Sequence, residues 1–296
     1  MLTLADRKGR EHEVPEPLAP IADTHGHLTK LDAPRAAAAL SRAWEAGVRL
    51  HVIPVDPTDY VRDVSAFLAW FDEMRALAGP MGESTYFIAG THPYGAAILD
   101  EDALARLDAL LDHPRCLGVG EIGLDYGPYN ELPPEVQEAA FRTQLRIAHA
   151  RNLPVELHLR DPEQGEPKAH DDALRILQEE GVPSAGCDLH CFTSGPDLMA
   201  PFVDLGCYIA FGGAATFAKS DDIRAAAAAC PAHLILTETD CPYMTPVPLR
   251  GSRCEPAMVA FTAACVADVR AEALGMPREQ TYADLWANAR RFFSLD

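Results

Sequence analysis

The sequence predicts an α/β protein of the (β/α)8, TIM-type barrel class, and three observations support that prediction. Short apolar runs alternate with longer amphipathic segments over 296 residues, which is enough chain for eight strand and helix pairs. Histidines and carboxylates fall at the carboxyl ends of the apolar runs, where barrel enzymes assemble their sites. No Gly-x-Gly-x-x-Gly motif opens a helix after the first strand, which weakens the alternative of a doubly wound open sheet.

The strands and helices follow one another in a regular order. The predicted strands are Ile21–His25, Arg49–Val55, Tyr86–Gly90, Leu117–Glu121, Val155–Leu159, Asp188–Phe192, Cys207–Phe211 and Leu234–Thr239. The predicted helices are Ala33–Ala46, Asp59–Ala78, Ala103–Leu111, Glu135–Arg151, Asp171–Glu180, Pro196–Leu205, Asp222–Ala229, Glu255–Leu274 and Tyr282–Phe293. We expect one domain over residues 1–296, with residues 1–19 as a short N-terminal lead-in that forms a hairpin.

Composition places the chain among globular proteins. Hydrophobic residues make up 48% and charged residues 23%, which excludes a disordered or fibrous protein. The sequence has no run of about 18 apolar residues, so no membrane-spanning helix is expected. The polar opening, MLTLADRKGREHEVPEP, lacks the apolar core of a signal peptide, and we therefore expect a cytoplasmic protein.

Charge and cysteine content narrow the function further. The net charge of −19 argues against broad adhesion to nucleic acid or anionic membrane. It leaves open a nucleic-acid substrate that bound cations hold locally. The eight cysteines form no Cys-x-x-Cys pair, so we expect reduced and mostly buried thiols.

The polar residues at the strand ends carry most of the functional information. Side chains at positions i and i+2 of a strand share a face, so His25 and His27 are able to point inward together. By the same parity Glu238 shares a face with Asp240. Further strand ends carry His92, Glu121, His158 and His190. Imidazole and carboxylate donors suit zinc, manganese and similar divalent ions, and this many donors predicts two ions that share a bridging carboxylate and water.

Other histidines and one carboxylate receive simpler interpretations. His51, His149 and His233 are expected to be structural, while His113 and His170 are assigned to solvent. Strand parity points Glu156 into the barrel beneath His158, where an unpaired carboxylate would cost several kcal/mol, and the sequence identifies no partner for it. The polar segment Asp161–His170 is expected to form a loop at the active-site end.

Several motifs resemble the TatD-like metal-dependent hydrolases, a family usually described as deoxyribonucleases. The resemblance runs from about Ile21 to Phe293. Its motifs are Asp-Thr-His-Gly-His-Leu (23–28), Gly-Thr-His-Pro (90–93), Gly-Glu-Ile-Gly-Leu-Asp-Tyr (120–126), Leu-Pro-Val-Glu-Leu-His-Leu-Arg (153–160), His-Cys-Phe-Thr (190–193), Glu-Thr-Asp-Cys-Pro-Tyr (238–243) and Arg-Gly-Ser-Arg-Cys-Glu-Pro (250–256). The sequence departs from the family at Cys254, where asparagine is common, and at Glu156, where an aliphatic residue is expected.

The resemblance implies a metallo-dependent hydrolase barrel with a two-metal centre of zinc, manganese or magnesium. The matching ligands are His25, His27, Glu121, His158, His190 and Asp240. It also implies hydrolysis of nucleic-acid phosphodiesters, often from a 3′ end, with single-stranded or frayed DNA favoured. No membrane and no obligate protein partner is expected.

Roles for individual residues follow from that chemistry. Glu121 would bridge the two ions, and Asp240 would be a ligand that also accepts a proton from the attacking water. His92 would hydrogen-bond the phosphate, and Glu238 would orient a ligand or, as an alternative, bind a third ion. Residues expected to contact substrate are His92, Arg160, Tyr126, Tyr243 and Arg250, with Arg253 as a further local cation.

Two alternative functions remain open at this point. The first is an amidohydrolase-type enzyme that acts on an amide, a lactone or an ester. Many such enzymes bridge their metals with a modified lysine, whereas Lys8, Lys30, Lys168 and Lys219 all lie away from the strand ends. The second is a non-catalytic metal-binding scaffold, which metal-dependent turnover would exclude.

Overall fold

The protein forms an eight-stranded parallel barrel, preceded by a small hairpin. A computed structural model describes residues 2–59, 61–165 and 168–295. The hairpin pairs β1 (Thr3–Ala5) with β2 (Glu11–Glu13) in antiparallel register. The barrel strands, which pair in sequence order, are β3 (Ile21–Asp23), β4 (Val48–Val55), β5 (Thr85–Ala89), β6 (Cys116–Asp125), β7 (Val155–Arg160), β8 (Cys187–Leu189), β9 (Tyr208–Phe211) and β10 (Ile235–Thr237). The predicted barrel class is confirmed.

The sheet is nearly closed, because its first and last strands, β3 and β10, lie side by side. The backbone N–H of Thr24 donates to the carbonyl of Thr237 at 3.2 Å. The Thr237 hydroxyl donates back to the carbonyl of Ala22 at 3.4 Å. These bonds bring residues from the beginning and the end of the chain to the same place at the mouth of the barrel. The single-domain organisation stays a prediction.

Helices surround the barrel and pack their apolar faces on it. Their bounds are α1 (Ala33–Glu45), α2 (Val64–Leu77), α3 (Pro80–Glu83), α4 (Glu101–Leu111), α5 (Pro134–Arg151), α6 (Lys168–Glu180), α7 (Pro196–Asp204), α8 (Asp221–Ala229), α9 (Val259–Leu274) and α10 (Arg278–Phe292). Short 3-10 helices cover residues Pro93–Ile98, Gly213–Thr216 and Pro256–Met258. Within the described ranges, none of the helices combines the length and apolar character that crossing a bilayer requires.

Helix starts differ from the expectations where a cap determines them. The second helix begins at Val64 rather than Asp59, because the Asp63 side chain accepts a hydrogen bond from the N–H of Ala66. The last helix begins at Arg278, four residues before the predicted Tyr282, and directly follows Pro277. A side-chain cap at Asp63 and a proline before α10 therefore accompany shifted boundaries, while the order of elements is unchanged.

The expectation that residues 161–170 form a loop was partly wrong. Residues 166 and 167 lie outside the described residues, but helix α6 already begins at Lys168. Asp161 accepts hydrogen bonds from the backbone N–H of Ala169 and from Nδ1 of His170, the latter at 2.6 Å. His170 is therefore buried rather than solvated, with its ring 6.0 Å from that of Phe202.

His113 is also less solvated than expected. It is half-buried, and its ring centroid lies 5.4 Å from that of Phe87. Of the histidines expected to be structural, His51 is fully buried and its Nδ1 lies 3.0 Å from Asp23. His149 is exposed and contacts the carbonyl of Gly181.

Candidate metal centre and active site

The carboxyl ends of the barrel strands surround a cavity of about 850 Å3. The loops that follow the strands form its wall, as the barrel topology predicts. Residues expected to bind metal lie on its inner surface: His27, Glu121, His158, His190 and Asp240. His25 lies beneath them and is fully buried. The structure thus brings together side chains that are up to 215 positions apart, from His25 to Asp240.

Glu121 stands between two groups of donor atoms. Its Oε1 lies 3.6 Å from Nε2 of His27. Its Oε2 lies 3.2 Å from Nε2 of His190 and 3.4 Å from Nδ1 of His158. This carboxylate belongs to two groups of three residues. One group includes His25 and His27 and the other includes His158 and His190, and within each group all ligand atoms lie within 4.8 Å of one another. This arrangement is what a carboxylate that bridges two ions requires.

Asp240 completes the first group. Its Oδ1 lies 3.5 Å from Nε2 of His27 and 3.8 Å from Nε2 of His25. The residue adopts a left-handed backbone conformation, with φ of 52°, and its N–H donates to the carbonyl of His25. Because non-glycine residues adopt this conformation rarely, the turn after β10 directs a particular side chain into the cavity.

Three of the histidines have a buried carboxylate behind them. Nδ1 of His25 lies 2.6 Å from Oε1 of Glu156, and Nε2 of His158 lies 3.0 Å from Oδ2 of Asp125. Nδ1 of His190 lies 3.5 Å from Oε1 of Glu238. In each case the ring nitrogen on the opposite side faces the cavity, which is the arrangement that orients metal-binding imidazoles. The partner of Glu156, which the sequence did not identify, is therefore His25.

The donor set fits divalent metal ions. Nε2 of His25 and Nε2 of His27 lie 3.1 Å apart, a separation typical of two ligands of one ion with bonds of about 2.0–2.1 Å. Burial and the neighbouring His190 hold the pKa of His25 well below its usual value, so this ring is neutral and able to coordinate. Burial opposes protonation of His190, but Glu121 and Glu238 raise its pKa well above the usual value. Metal binding at His190 therefore competes with a proton.

His92 lines the cavity, and its backbone contacts fix the orientation of its ring. Its Nδ1 accepts the backbone N–H of Tyr94 at 3.2 Å, so in the neutral ring the proton resides on Nε2. That Nε2 lies 3.9 Å from Oε2 of Glu121. Burial, together with His158, lowers the pKa of His92 to about 3, and the ring is neutral at pH 7. Asp56 fixes the loop by accepting the backbone N–H of His92.

The residues expected to contact substrate divide into two groups. Arg160 and Tyr243 line the cavity. Tyr126 instead points its hydroxyl at Asp172 of α6, 3.0 Å away, and the guanidinium of Arg250 lies against the ring of Phe217. Neither of these two is among the side chains that form the cavity wall.

Sequence reasoning overlooked several residues of the site. Asp125 was identified only as part of a motif, yet its carboxylate contacts Nε2 of His158 and orients that ring. Tyr94, Tyr129 and Arg62 line the cavity from loops that follow β5, β6 and β4. Nothing in strand periodicity predicts how a loop after a strand will direct its side chains. Tyr94 lies four positions after the predicted strand end at Gly90, but Tyr129 lies eight positions after the predicted end at Glu121, so nearness to a strand end could have indicated only Tyr94.

Comparisons with known proteins agree with this geometry. The family model "TatD related DNase" matches residues 22–294. The metal-dependent hydrolase TatD of Mycobacterium tuberculosis is 30% identical over 282 residues, covering 93% of this chain and 98% of the relative. A protein of Klebsiella pneumoniae named 3′-5′ ssDNA/RNA exonuclease TatD is 34% identical over 215 residues, covering 70% of this chain and 76% of the relative. The crystal structure of YjjV, a TatD homologue from Escherichia coli, superposes with a TM-score of 0.77 at 26% identity, covering 94% of this chain and all of that one.

Proposed function

The chain belongs to the TatD-related DNase family of metal-dependent hydrolases, and from this membership we propose that it is a 3′-end exonuclease of single-stranded nucleic acid. The K. pneumoniae relative carries such an activity in its name. The observation that carries the proposal is the placement of Glu121, whose two oxygens each face a separate group of donors in one open cavity. Two cations held by such a carboxylate are suited to phosphodiester hydrolysis, because they stabilise both the attacking and the leaving oxygen of an in-line displacement.

We infer that six residues hold two divalent ions: His25, His27, Glu121, His158, His190 and Asp240. When bound there, the ions would supply an activated water and neutralise charge on the phosphate. The carboxylates Glu156, Asp125 and Glu238 keep the imidazoles of His25, His158 and His190 oriented with one nitrogen toward the other ligands. The physiological metal is expected to be zinc, manganese or magnesium.

His92, Arg160 and the metal ligand Asp240 act on the scissile phosphate and on the attacking water. His92 is neutral, and its Nε2–H donates a hydrogen bond to a non-bridging oxygen. Asp240 accepts the proton of the attacking water as its oxygen bonds to phosphorus. The bond from phosphorus to the 3′ oxygen breaks, and that oxygen takes a proton from solvent, which releases a 5′-mononucleotide. Arg160 contributes positive charge at the cavity wall.

An end-labelling experiment tests this function. Protein reconstituted with zinc, manganese or magnesium is incubated with strands that are labelled at the 3′ or the 5′ end. We expect the 3′ label to be released as mononucleotide at once, while the 5′-labelled strand shortens stepwise. Glu121→Gln is the matched inactive control. Internal cuts would contradict the exonuclease assignment, and turnover only of amide, lactone or simple ester substrates would contradict the nuclease assignment.

A further inference from the structure

Exposed apolar side chains concentrate around the cavity. In the described part of the chain, the exposed large hydrophobic residues are Leu18, Leu77, Tyr94, Ile98, Tyr129, Tyr243, Val247 and Leu274. Half of these line the cavity, namely Tyr94, Ile98, Tyr129 and Tyr243. Single exposed apolar residues need no explanation, but a group of them at one concave site indicates a ligand with apolar faces.

Two of the tyrosines flank Arg160 at the end of β7. The Arg160 guanidinium lies 4.9 Å from the ring centroid of Tyr129, which is 72% exposed. Tyr94 is 49% exposed, and its ring packs edge-to-face against His92 at 4.5 Å. Burial and the Asp125 carboxylate raise the pKa of Tyr94, whereas Arg160 lowers it, so its hydroxyl lies close to both charged groups.

This arrangement places aromatic rings beside a guanidinium cation. It also places them beside His92, which we propose donates a hydrogen bond to phosphate. A ligand that stacks on tyrosine or on a guanidinium must contain a planar ring. In this site the ring must also be attached to a phosphate that lies near His92. A nucleobase on a sugar-phosphate backbone meets both conditions. The subsite lies beyond β5, β6 and β7, while Tyr243 follows β10 on the other side of the metal ligands.

We propose that Tyr94, Tyr129 and Arg160 form a nucleobase-binding subsite beside the scissile phosphate. The subsite rests on the proposed nuclease function and adds to it a reason why unpaired strands are the substrate. A base that is stacked and paired in a duplex cannot offer its faces to Tyr129, whereas an unpaired base can. Stacking tolerates every base, so the subsite selects single strands and not sequences.

Steady-state kinetics with matched substrates tests the subsite. Tyr129→Ala, Tyr94→Ala and the double variant are compared on an ordinary oligonucleotide and on one with abasic residues at its 3′ end. Loss of one stacked base should raise KM on the ordinary strand about 5- to 100-fold, with kcat changed much less. On the abasic strand these variants should equal the wild type. Tyr129→Phe keeps the ring and should restore near-normal KM.

Leu274→Ala is the control, because Leu274 is 54% exposed and does not line the cavity. A direct signature is quenching of 2-aminopurine in a phosphorothioate-protected 3′ end, which should be lost in Tyr129→Ala. Unchanged KM on the ordinary strand, or an equal rise on the abasic strand, would overturn the subsite while the nuclease function stands. Failure of the wild type to cleave any strand would overturn both.

Discussion

Replacement of Glu156 by leucine should weaken divalent-metal binding although Glu156 is not among the proposed metal ligands. Oε1 of Glu156 lies 2.6 Å from Nδ1 of His25, and both side chains are buried. When His25 binds metal through Nε2, Nδ1 carries the proton, which Glu156 accepts. Loss of such a partner costs about 10- to 100-fold in metal affinity, or about 1.4–2.7 kcal/mol. Glu156→Gln keeps an acceptor oxygen and should lose less.

The same substitution should also affect the stability of the metal-free protein. Oε2 of Glu156 has no hydrogen-bond partner among the described residues, and burial together with the nearby Asp188 raises the pKa of Glu156 well above its usual value. Leucine removes this buried acidic group, but it also leaves Nδ1 of His25 without its partner, which costs about 1–3 kcal/mol. Glu156→Leu should therefore unfold at a lower temperature without metal, and it should also gain less stability when zinc or manganese is added.

Calorimetric titration of chelator-stripped protein with zinc or manganese measures the first effect, and thermal unfolding with and without metal measures the second. Asp188→Asn is the control, because Asp188 is equally buried on the neighbouring strand but, within the described part of the chain, makes no hydrogen bond to a histidine. It should lose less affinity than Glu156→Leu. Wild-type metal affinity in Glu156→Leu, or an equal loss in Asp188→Asn, would refute the positioning role.

Three further predictions concern the metal bridge, substrate binding and the fold. Glu121→Ala should lose both ions, as measured by metal analysis, and abolish turnover while the circular dichroism spectrum is retained; full activity would exclude the bridge. Binding of short single strands to an inactive Asp240→Asn variant should depend on salt as expected for about two to four neutralised phosphates, since log K falls with log salt concentration by about 0.7 per phosphate. A slope equivalent to about eight or more phosphates would indicate an extended row of basic residues along the strand. Asp161→Ala should destabilise the protein by about 1–3 kcal/mol in urea unfolding, because Ala169 and His170 lose their acceptor; no change would show that these bonds contribute nothing.

The alternation of elements was predictable because it depends on local periodicity. All eight barrel strands were located from the sequence, since parallel strands that are buried on both faces appear as short apolar runs. Their ends were less certain. Strand β6 continues past Glu121 to Asp125, and this extension places Asp125 behind His158. A predicted end at Glu121 concealed that contact.

Long-range partners were not predictable for a different reason. Glu156 and His25 are 131 residues apart, and a single sequence contains no information on which inward-facing side chains meet across the barrel. Strand parity correctly indicated that Glu156 points inward. The same limit explains His170, which is buried because Asp161 binds it across the start of α6. A polar segment predicts solvent exposure only if its polar groups do not bind one another.

The distribution of positive charge explains how an acidic protein is able to hold a polyanion. Arginines on the outer helices are neutralised by carboxylates, as Arg146 is by Glu180 and Arg151 is by Asp108. At the cavity, Arg62 donates to a backbone carbonyl, and Arg160 lies over Tyr129. A carbonyl and an aromatic ring leave an arginine's net charge in place, so these two cations can attract phosphate, although Arg160 also lies near the Asp125 carboxylate. Because the chain as a whole has a net charge of −19 and repels a long duplex, attraction is confined to the mouth of the barrel, which a thin, flexible strand end is able to reach.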